Sequence, residues 1–159
     1  MDGFPPHYRY FTQTNLFSIP KVTAVVPESE VSRDGMSLDT FARILRAAGE
    51  KYCAVQVNYS DTTDVNGFRT QILNSLSDLE AVVAVNYDRA VLDQHDGGGH
   101  ISPIAAYHRD TDQVLLLDVA KHKYPPLWVT LPLMFRAICT RNGFGVSRGF
   151  VTVRRLPPF

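Results

Sequence analysis

The pattern of apolar and polar positions changes twice along the chain. From residue 1 to residue 30 neither a helical nor a strand period is sustained. Proline, aromatic and short polar pieces alternate there (FPPHYRYFTQTNLFSIP), the pattern of a segment draped over a core made elsewhere. A helical period then sets in. Ser37 precedes Leu38, Phe41, Ile44, Leu45 and Ala48, and Gly49 follows, so the spacing predicts an amphipathic helix opened by a serine cap and closed by glycine. Residues 52–57 (YCAVQV) read as a short strand. A second helix begins at Asp61 or Thr62, with Val65, Phe68, Ile72, Leu73 and Leu76 as its apolar stripe. Beyond residue 78 the segments become β-branched or aliphatic and are bounded by turn residues, at 81–87, 101–107 and 113–119. HRDTD at 108–112 is a polar turn short enough to make the last two an antiparallel hairpin. A helix near 131–140 and a strand at 149–153 complete the pattern, and helices followed by strands predict an α+β fold.

Composition narrows the function classes. With 159 residues, 45% of them apolar, the chain suffices for one domain over 1–159 with a real core and not for two. The irregular, aromatic-laden opening gives the expectation that further N-terminal structure precedes it. Sixteen basic residues balance sixteen acidic ones, so no positive field favours nucleic acid or an anionic membrane. The strongest apolar stretches, 81–85 and 114–117, are far shorter than the roughly 20 residues that span a bilayer. MDGFPPHYRYFTQ lacks the basic start and apolar run of a signal peptide, which leaves cytoplasm and periplasm both open. Cys53 and Cys139 lack the CxxC spacing of a zinc or redox site and are expected as free, buried thiols.

The hairpin brings candidate chemistry with it. With its turn centred near Arg109 and Asp110, His100 and Asp118 fall opposite each other at the open end, or one place off register, with Cβ atoms about 5 Å apart if directly opposed. A carboxylate that binds one ring nitrogen fixes the imidazole tautomer and frees the other nitrogen to take a proton, the base and orienter of a nucleophilic triad. An ordinary structural hydrogen bond is the competing reading, and spacing alone does not decide between them. Gly97, Gly98 and Gly99 remove side-chain bulk where a substrate backbone would approach, or else form a flexible loop. His95, Asp96 and His100 (HDGGGH), and His122 between two lysines, each lack a fourth ligand, so they read as solvated loop side chains and no metal site is expected. Tyr124, Pro125, Pro126 and Trp128 read as a rigid turn and a core anchor rather than a proline-rich partner motif.

GGHISP at 98–103, LLDVA at 116–120 and KYPPLWV at 123–129 closely resemble phytochelatin synthase. So do VSRDGMSL at 31–38, YRYFTQ near the start, VNY at 85–87 and SRGFV at 147–151, in the same order, so the resemblance spans nearly the whole chain and is nearest the short bacterial, single-domain branch. It implies the C-terminal portion of a papain-like cysteine peptidase fold and a Cys-His-Asp triad. In that family the triad attacks glutathione at its cysteinyl-glycine bond, releases glycine and holds a γ-glutamylcysteinyl thioester. Transfer to a second glutathione makes phytochelatin. By resemblance His100 matches the general base and Asp118 its orienting carboxylate, while Asn86, Gly99 and Arg148 match positions that hold the acyl group. A guanidinium at 148 suits the α-carboxylate of the γ-glutamyl group because it binds carboxylate in a fork.

One departure stands against this match. The family's nucleophilic cysteine and oxyanion-hole glutamine lie upstream of the YRYFTQ-like segment, so the expectation is a chain that lacks the nucleophile, with Cys53 and Cys139 as packing residues. The resemblance further implies glutathione as partner, no tightly bound cofactor, and heavy-metal ions such as cadmium or zinc as activators or as part of a metal–glutathione substrate in metal detoxification. It also implies a possible homodimer. Two alternatives stay open: a hydrolase that releases glycine and γ-glutamylcysteine, and an inactive remnant acting as an interaction protein. In the latter, Val82, Val83 and Val85 lack cover and take it from another chain.

Overall fold

The computed structural model describes residues 12–94 and 97–157, so most of YRYFTQ and both His95 and Asp96 lie outside the described residues. The part of the opening segment that is described is not irregular. Thr12 caps α1 (Gln13–Leu16), Pro20 starts α2 (Pro20–Thr23), and α3 (Glu28–Asp34) ends at Gly35, whose φ of 72° is a left-handed conformation. These pieces are too short to show a period, which is why the pattern missed them. Val22 and Val26 pack on Ile44 and gather Leu16, Phe17, Ile19, Val31 and Met36 around them.

α4 (Leu38–Gly49) runs where the pattern predicts, with the Ser37 hydroxyl accepting from the Thr40 N–H at 3.1 Å. It turns Ile44 toward the short helices and Leu38 and Ala42 toward the sheet. β1 (Cys53–Tyr59) follows. α5 (Val65–Leu76) starts later than expected because Ser60–Thr62 form a 3-10 turn and Asp64 takes the cap, accepting from the Gly67 N–H at 2.7 Å. The strands β2 (Ala81–Asp88), β3 (Gly99–His108), β4 (Gln113–Leu116) and β5 (Leu127–Thr130) are followed by α6 (Leu131–Ile138) and β6 (Gly149–Arg155).

All six strands form one sheet in the order β1-β6-β2-β3-β4-β5, with every neighbouring pair antiparallel. The last strand thus inserts between β1 and β2. α5 and α6 cover one face, burying Phe68, Ile72, Met134 and Ile138 against Val83, Val85, Tyr87 and Phe150, with the Phe68 and Phe150 rings edge-on at 5.1 Å. α4 covers the other face over Val151. Helices packed on an antiparallel sheet make the fold α+β.

Four expectations need correction. Trp128 is no core anchor: it lies on the edge strand β5, 43% exposed with its ring edge-on to His108, while Val129 and Leu131 carry the burial. Cys139 is exposed and Cys53 half-buried, although both are free. Val83 and Val85 are fully buried under the two helices, and only Val82 of that trio is open. In the hairpin, Ile104 faces Leu116 and His108 faces Gln113, with an irregularity between Ile104 and Ala106. That register carries Asp118 toward Ser102, not His100.

Gly149 shows how tightly β6 is inserted. A Cβ there would lie within 2.9 Å of the Tyr59 Cα and even nearer the Asn58 carbonyl oxygen, both backbone atoms of β1. Gly149→Ala is therefore expected to destabilise the fold by about 1–3 kcal/mol, the usual range for overpacking. Chemical denaturation with an unchanged m-value and a lower midpoint is the check.

Candidate active site

The site is built on the alternation of β2 and β3. Tyr87 pairs with His100 and Val85 with Ser102, so these four side chains share one face of the sheet. β4 stops at Leu116, the Leu117 N–H bonds to the Pro103 carbonyl, and the Val119 N–H reaches the Ser102 hydroxyl at 3.4 Å. This exit sets Asp118 beside Ser102, from where it reaches diagonally to His100. His100 Nε2 lies 3.2 Å from Asp118 Oδ1, with 22% of the His100 side chain and 1% of the Asp118 side chain exposed. The distance is that of a hydrogen bond but the alignment is not, and Nε2 has no other partner among the described residues.

Asp118 is held from several sides. Oδ1 accepts from the Ala120 N–H at 2.8 Å and Arg89 Nη2 at 2.9 Å, and Oδ2 accepts from the Tyr87 hydroxyl at 2.9 Å, with Gln94 Nε2 at 3.4 Å. Burial alone would push this carboxyl up. The Ala120 N–H, the Tyr87 hydroxyl, Arg89 and the His100 charge together outweigh it and hold Asp118 below the usual carboxylate range. His100 is shifted down, first by burial and then by the Arg89 charge, against the upward pull of Asp118. Burial pushes the Tyr87 phenol up to about 12, so it stays a neutral donor.

Asn86, Gly99 and Arg148 form a second cluster. Asn86 lies on β2 with its side chain on the opposite face from Tyr87, Gly99 is paired with Asp88, and Arg148 immediately precedes β6. Arg148 is buried; its Nη1 donates to Asn86 Oδ1 at 2.9 Å, its Nε to Thr140 Oγ1 at 2.9 Å, and its Nη2 lies 4.0 Å from Asp88. A Cβ on Gly99 would sit 2.9 Å from the Arg148 Cζ and nearer still to Nη1, so any side chain there would displace the guanidinium from its present place. Asn86, Gly99, Arg148 and His100 all line one cleft of about 1160 Å³, whose wall is completed by Phe41, Val119 and Phe144. The cleft is thus reached by a fork-shaped cation from one face of β3 and by an imidazole from the other.

A family model described as phytochelatin synthase matches residues 4–150 of the chain. The chain belongs to the phytochelatin synthase family. It is 34% identical over 131 residues to glutathione gamma-glutamylcysteinyltransferase 3 of Lotus japonicus, covering 82% of this chain and 26% of that protein. It is 35% identical over 130 residues to glutathione gamma-glutamylcysteinyltransferase 1 of Triticum aestivum, covering 81% and 25%. The glutathione gamma-glutamylcysteinyltransferase of Schizosaccharomyces pombe is 29% identical over 127 residues, covering 77% and 29%. The chain therefore spans roughly a quarter of the length of these relatives. Among solved structures, the N-terminal peptidase C39-like domain of the toxin secretion ATP-binding protein from Vibrio parahaemolyticus aligns over 91% of this chain and 95% of that one, at 13% identity and a TM-score of 0.41.

Within this member of the phytochelatin synthase family, sequence reasoning paired His100 with Asp118 and missed everything else that grips Asp118. Tyr87, Arg89 and Gln94 come from β2 and the turn after it. The signal was present in part, because VNYDR at 85–89 places a tyrosine and an arginine two apart at the end of the strand that precedes the glycine run. No cysteine lines the cleft among the described residues; Cys139 is exposed at the end of α6, its thiol pushed up by burial, and Cys53 stands at the start of β1. Among the described residues no group of three His, Cys, Asp or Glu is placed to hold a metal ion, and no helix is long and apolar enough to cross a membrane.

The two titrations work in different windows. His100 protonates less readily in the fold than in the unfolded chain, so stability falls as pH drops below about 6.5, where the unfolded imidazole takes a proton that the folded one refuses. Asp118, shifted down, contributes stability that is fully present above the ordinary carboxylate range and is lost as pH falls from the unfolded carboxyl's value through the lower folded one. His100→Gln is therefore expected to flatten the loss of thermal stability between about pH 7 and pH 5 relative to wild type. Parallel curves for the two proteins in that window would contradict the assignment.

Proposed function

We propose that this chain carries the base and the γ-glutamyl-binding pocket of a glutathione γ-glutamylcysteinyltransferase. The observation that carries the reading is Arg148, a buried guanidinium that Gly99 leaves uncovered in the cleft shared with His100. A buried arginine in a cleft is suited to a carboxylate ligand, which it binds in a fork and whose charge it matches. The α-carboxylate of glutathione's γ-glutamyl group is such a ligand. Held there, the substrate extends its cysteinyl-glycine bond toward His100.

The chemistry then follows from the imidazole. The ring nitrogen not facing Asp118 takes the proton of an attacking thiol. The thiolate adds to the cysteinyl carbonyl carbon, and the C–N bond to glycine breaks as the imidazolium returns its proton to the departing amine. The product is a γ-glutamylcysteinyl thioester and free glycine. The α-amine of a second glutathione attacks this thioester, yields the longer γ-glutamylcysteine peptide and releases the thiol; water in place of that amine gives γ-glutamylcysteine. The thiol belongs, on this reading, to an upstream segment, since neither Cys53 nor Cys139 lines the cleft. Heavy-metal ions enter as complexes with the acceptor glutathione, as part of the substrate.

Binding and turnover test separate parts of the proposal. Calorimetric titration with glutathione is expected to show Arg148→Lys binding roughly tenfold to hundredfold more weakly than wild type, the loss of about 1.5–3 kcal/mol that accompanies a charge-assisted hydrogen bond. Equal affinities would remove Arg148 from the pocket. The chain alone is expected to release no glycine from glutathione above background, and the chain extended by the family's N-terminal helix and cysteine to release it. Glycine release by the short chain that disappears in Cys139→Ser would instead place the nucleophile within these residues.

A further inference from the structure

Arg89 opens the 3-10 turn Arg89–Leu92 directly after β2 and is 9% exposed. Its Nη2 donates to both oxygens of Asp118, at 2.9 and 3.1 Å, and its guanidinium carbon lies 4.7 Å from the centre of the Tyr124 ring. Its Nε is buried without a hydrogen-bond partner among the described residues. Burying a guanidinium this deeply is expensive, and a buried ion pair is often no more stabilising than apolar residues of the same size. Asp118 already has the Ala120 N–H and the Tyr87 hydroxyl as neutral donors. What Arg89 adds is a permanent positive charge against both oxygens of the carboxylate, including Oδ1, which faces the imidazole.

We propose that Arg89 is the positioning residue of this site: it locks the Asp118 carboxylate with one oxygen toward His100 and shares that carboxylate's charge with the imidazole. The row Arg89, Asp118, His100 then has one negative charge for two cationic groups whenever His100 is protonated. The imidazole rests neutral, ready to take a proton from a thiol rather than paired beforehand with a thiolate. This meaning rests on the reading of His100 and Asp118 as base and orienter, but its test reads the imidazole and not the reaction, so either can fail without the other.

Among the described residues, the remaining groups around His100 do not supply this effect. Tyr87, opposite on β2 with its ring perpendicular and 6.1 Å away, is a neutral phenol, and Gln94 is uncharged. Arg148 and Asp88, on the far side of Gly99, are 4.0 Å apart and offset each other. Arg89 and Asp118 are left as the charges that set the imidazole.

The test is an NMR titration of the His100 ring, identified as the signal lost in His100→Gln. In wild type the midpoint is expected below that of an ordinary histidine, about 6.5; a midpoint at or above that value overturns the proposal with no variant needed. Arg89→Gln, which keeps a donor of similar shape for Asp118 but no charge, is expected to move the midpoint up, and Arg89→Met likewise. Arg89→Lys is expected to leave it near wild type. An unmoved or lowered midpoint in Arg89→Gln, or a rise in Arg89→Lys as large as in Arg89→Gln, overturns the charge-sharing role.

Discussion

Taking a carboxylate out of water is tolerated only where its charge is met, and the protein meets Asp118 from three pieces of chain at once. Tyr87 reaches it from β2, Arg89 and Gln94 from the turn beyond, and the Ala120 N–H from its own loop. Each of those partners is in place only if β2 and β3 keep their register and β4 ends where it does. The hairpin's open end is therefore pinned by polar contacts, although its strands are held by apolar ones such as Ile104, Val114 and Leu116. A slip of one residue in β3 would turn His100 to the α4 side, and a slip in β2 would turn Tyr87 away from the carboxylate.

A second constraint comes from the sheet's two faces. His100 and Asn86 leave β3 and β2 on opposite sides, yet both line the same cleft, which also takes in Asn142, Gly143 and Phe144 from the loop before β6. Close approach is the condition for this. Gly99 lets the Arg148 guanidinium lie against the β3 backbone, and Gly149, the next residue, lets β6 press on Asn58 and Tyr59. A side chain at Gly99 would displace the cation, and one at Gly149 would push β6 away from β1. Backbone approach, more than any single side-chain bond, is what makes one pocket out of two faces.

These features also mark what was legible in the sequence. α4 was readable to the residue because an amphipathic stripe, a serine cap and a closing glycine all agree. The strands of the hairpin were readable because their β-branched runs meet at a polar turn, and the α+β class followed from their order. Trp128 was misread because in an edge strand a large aromatic ring packs sideways on a neighbour such as His108 while staying open to water, and local pattern does not distinguish that from burial. The short helices before Gly35 hold one to two turns each and pack on Ile44, Ala47 and Ala48 of α4, contacts no local window contains. In the site, His100 and Asp118 were within reach of hairpin arithmetic. Arg89 was not, since its place depends on a 3-10 turn that aims it back under the hairpin.

The electrostatics of the pair end differently from a plain triad. A carboxylate beside an imidazole ordinarily raises its basicity, and a lone Asp118 would do so here. Burial and Arg89 reverse the outcome, so the imidazole is a weaker base that is free of protons over a wider range of pH. A weaker base takes a thiol proton less readily, but the same imidazolium surrenders that proton more readily to a departing amine. For acyl transfer from an amide, where expelling a poor leaving group is the harder half of the step, the second effect favours the reaction. On the proposed reading, the arrangement around Asp118 favours proton donation by His100 as much as proton uptake.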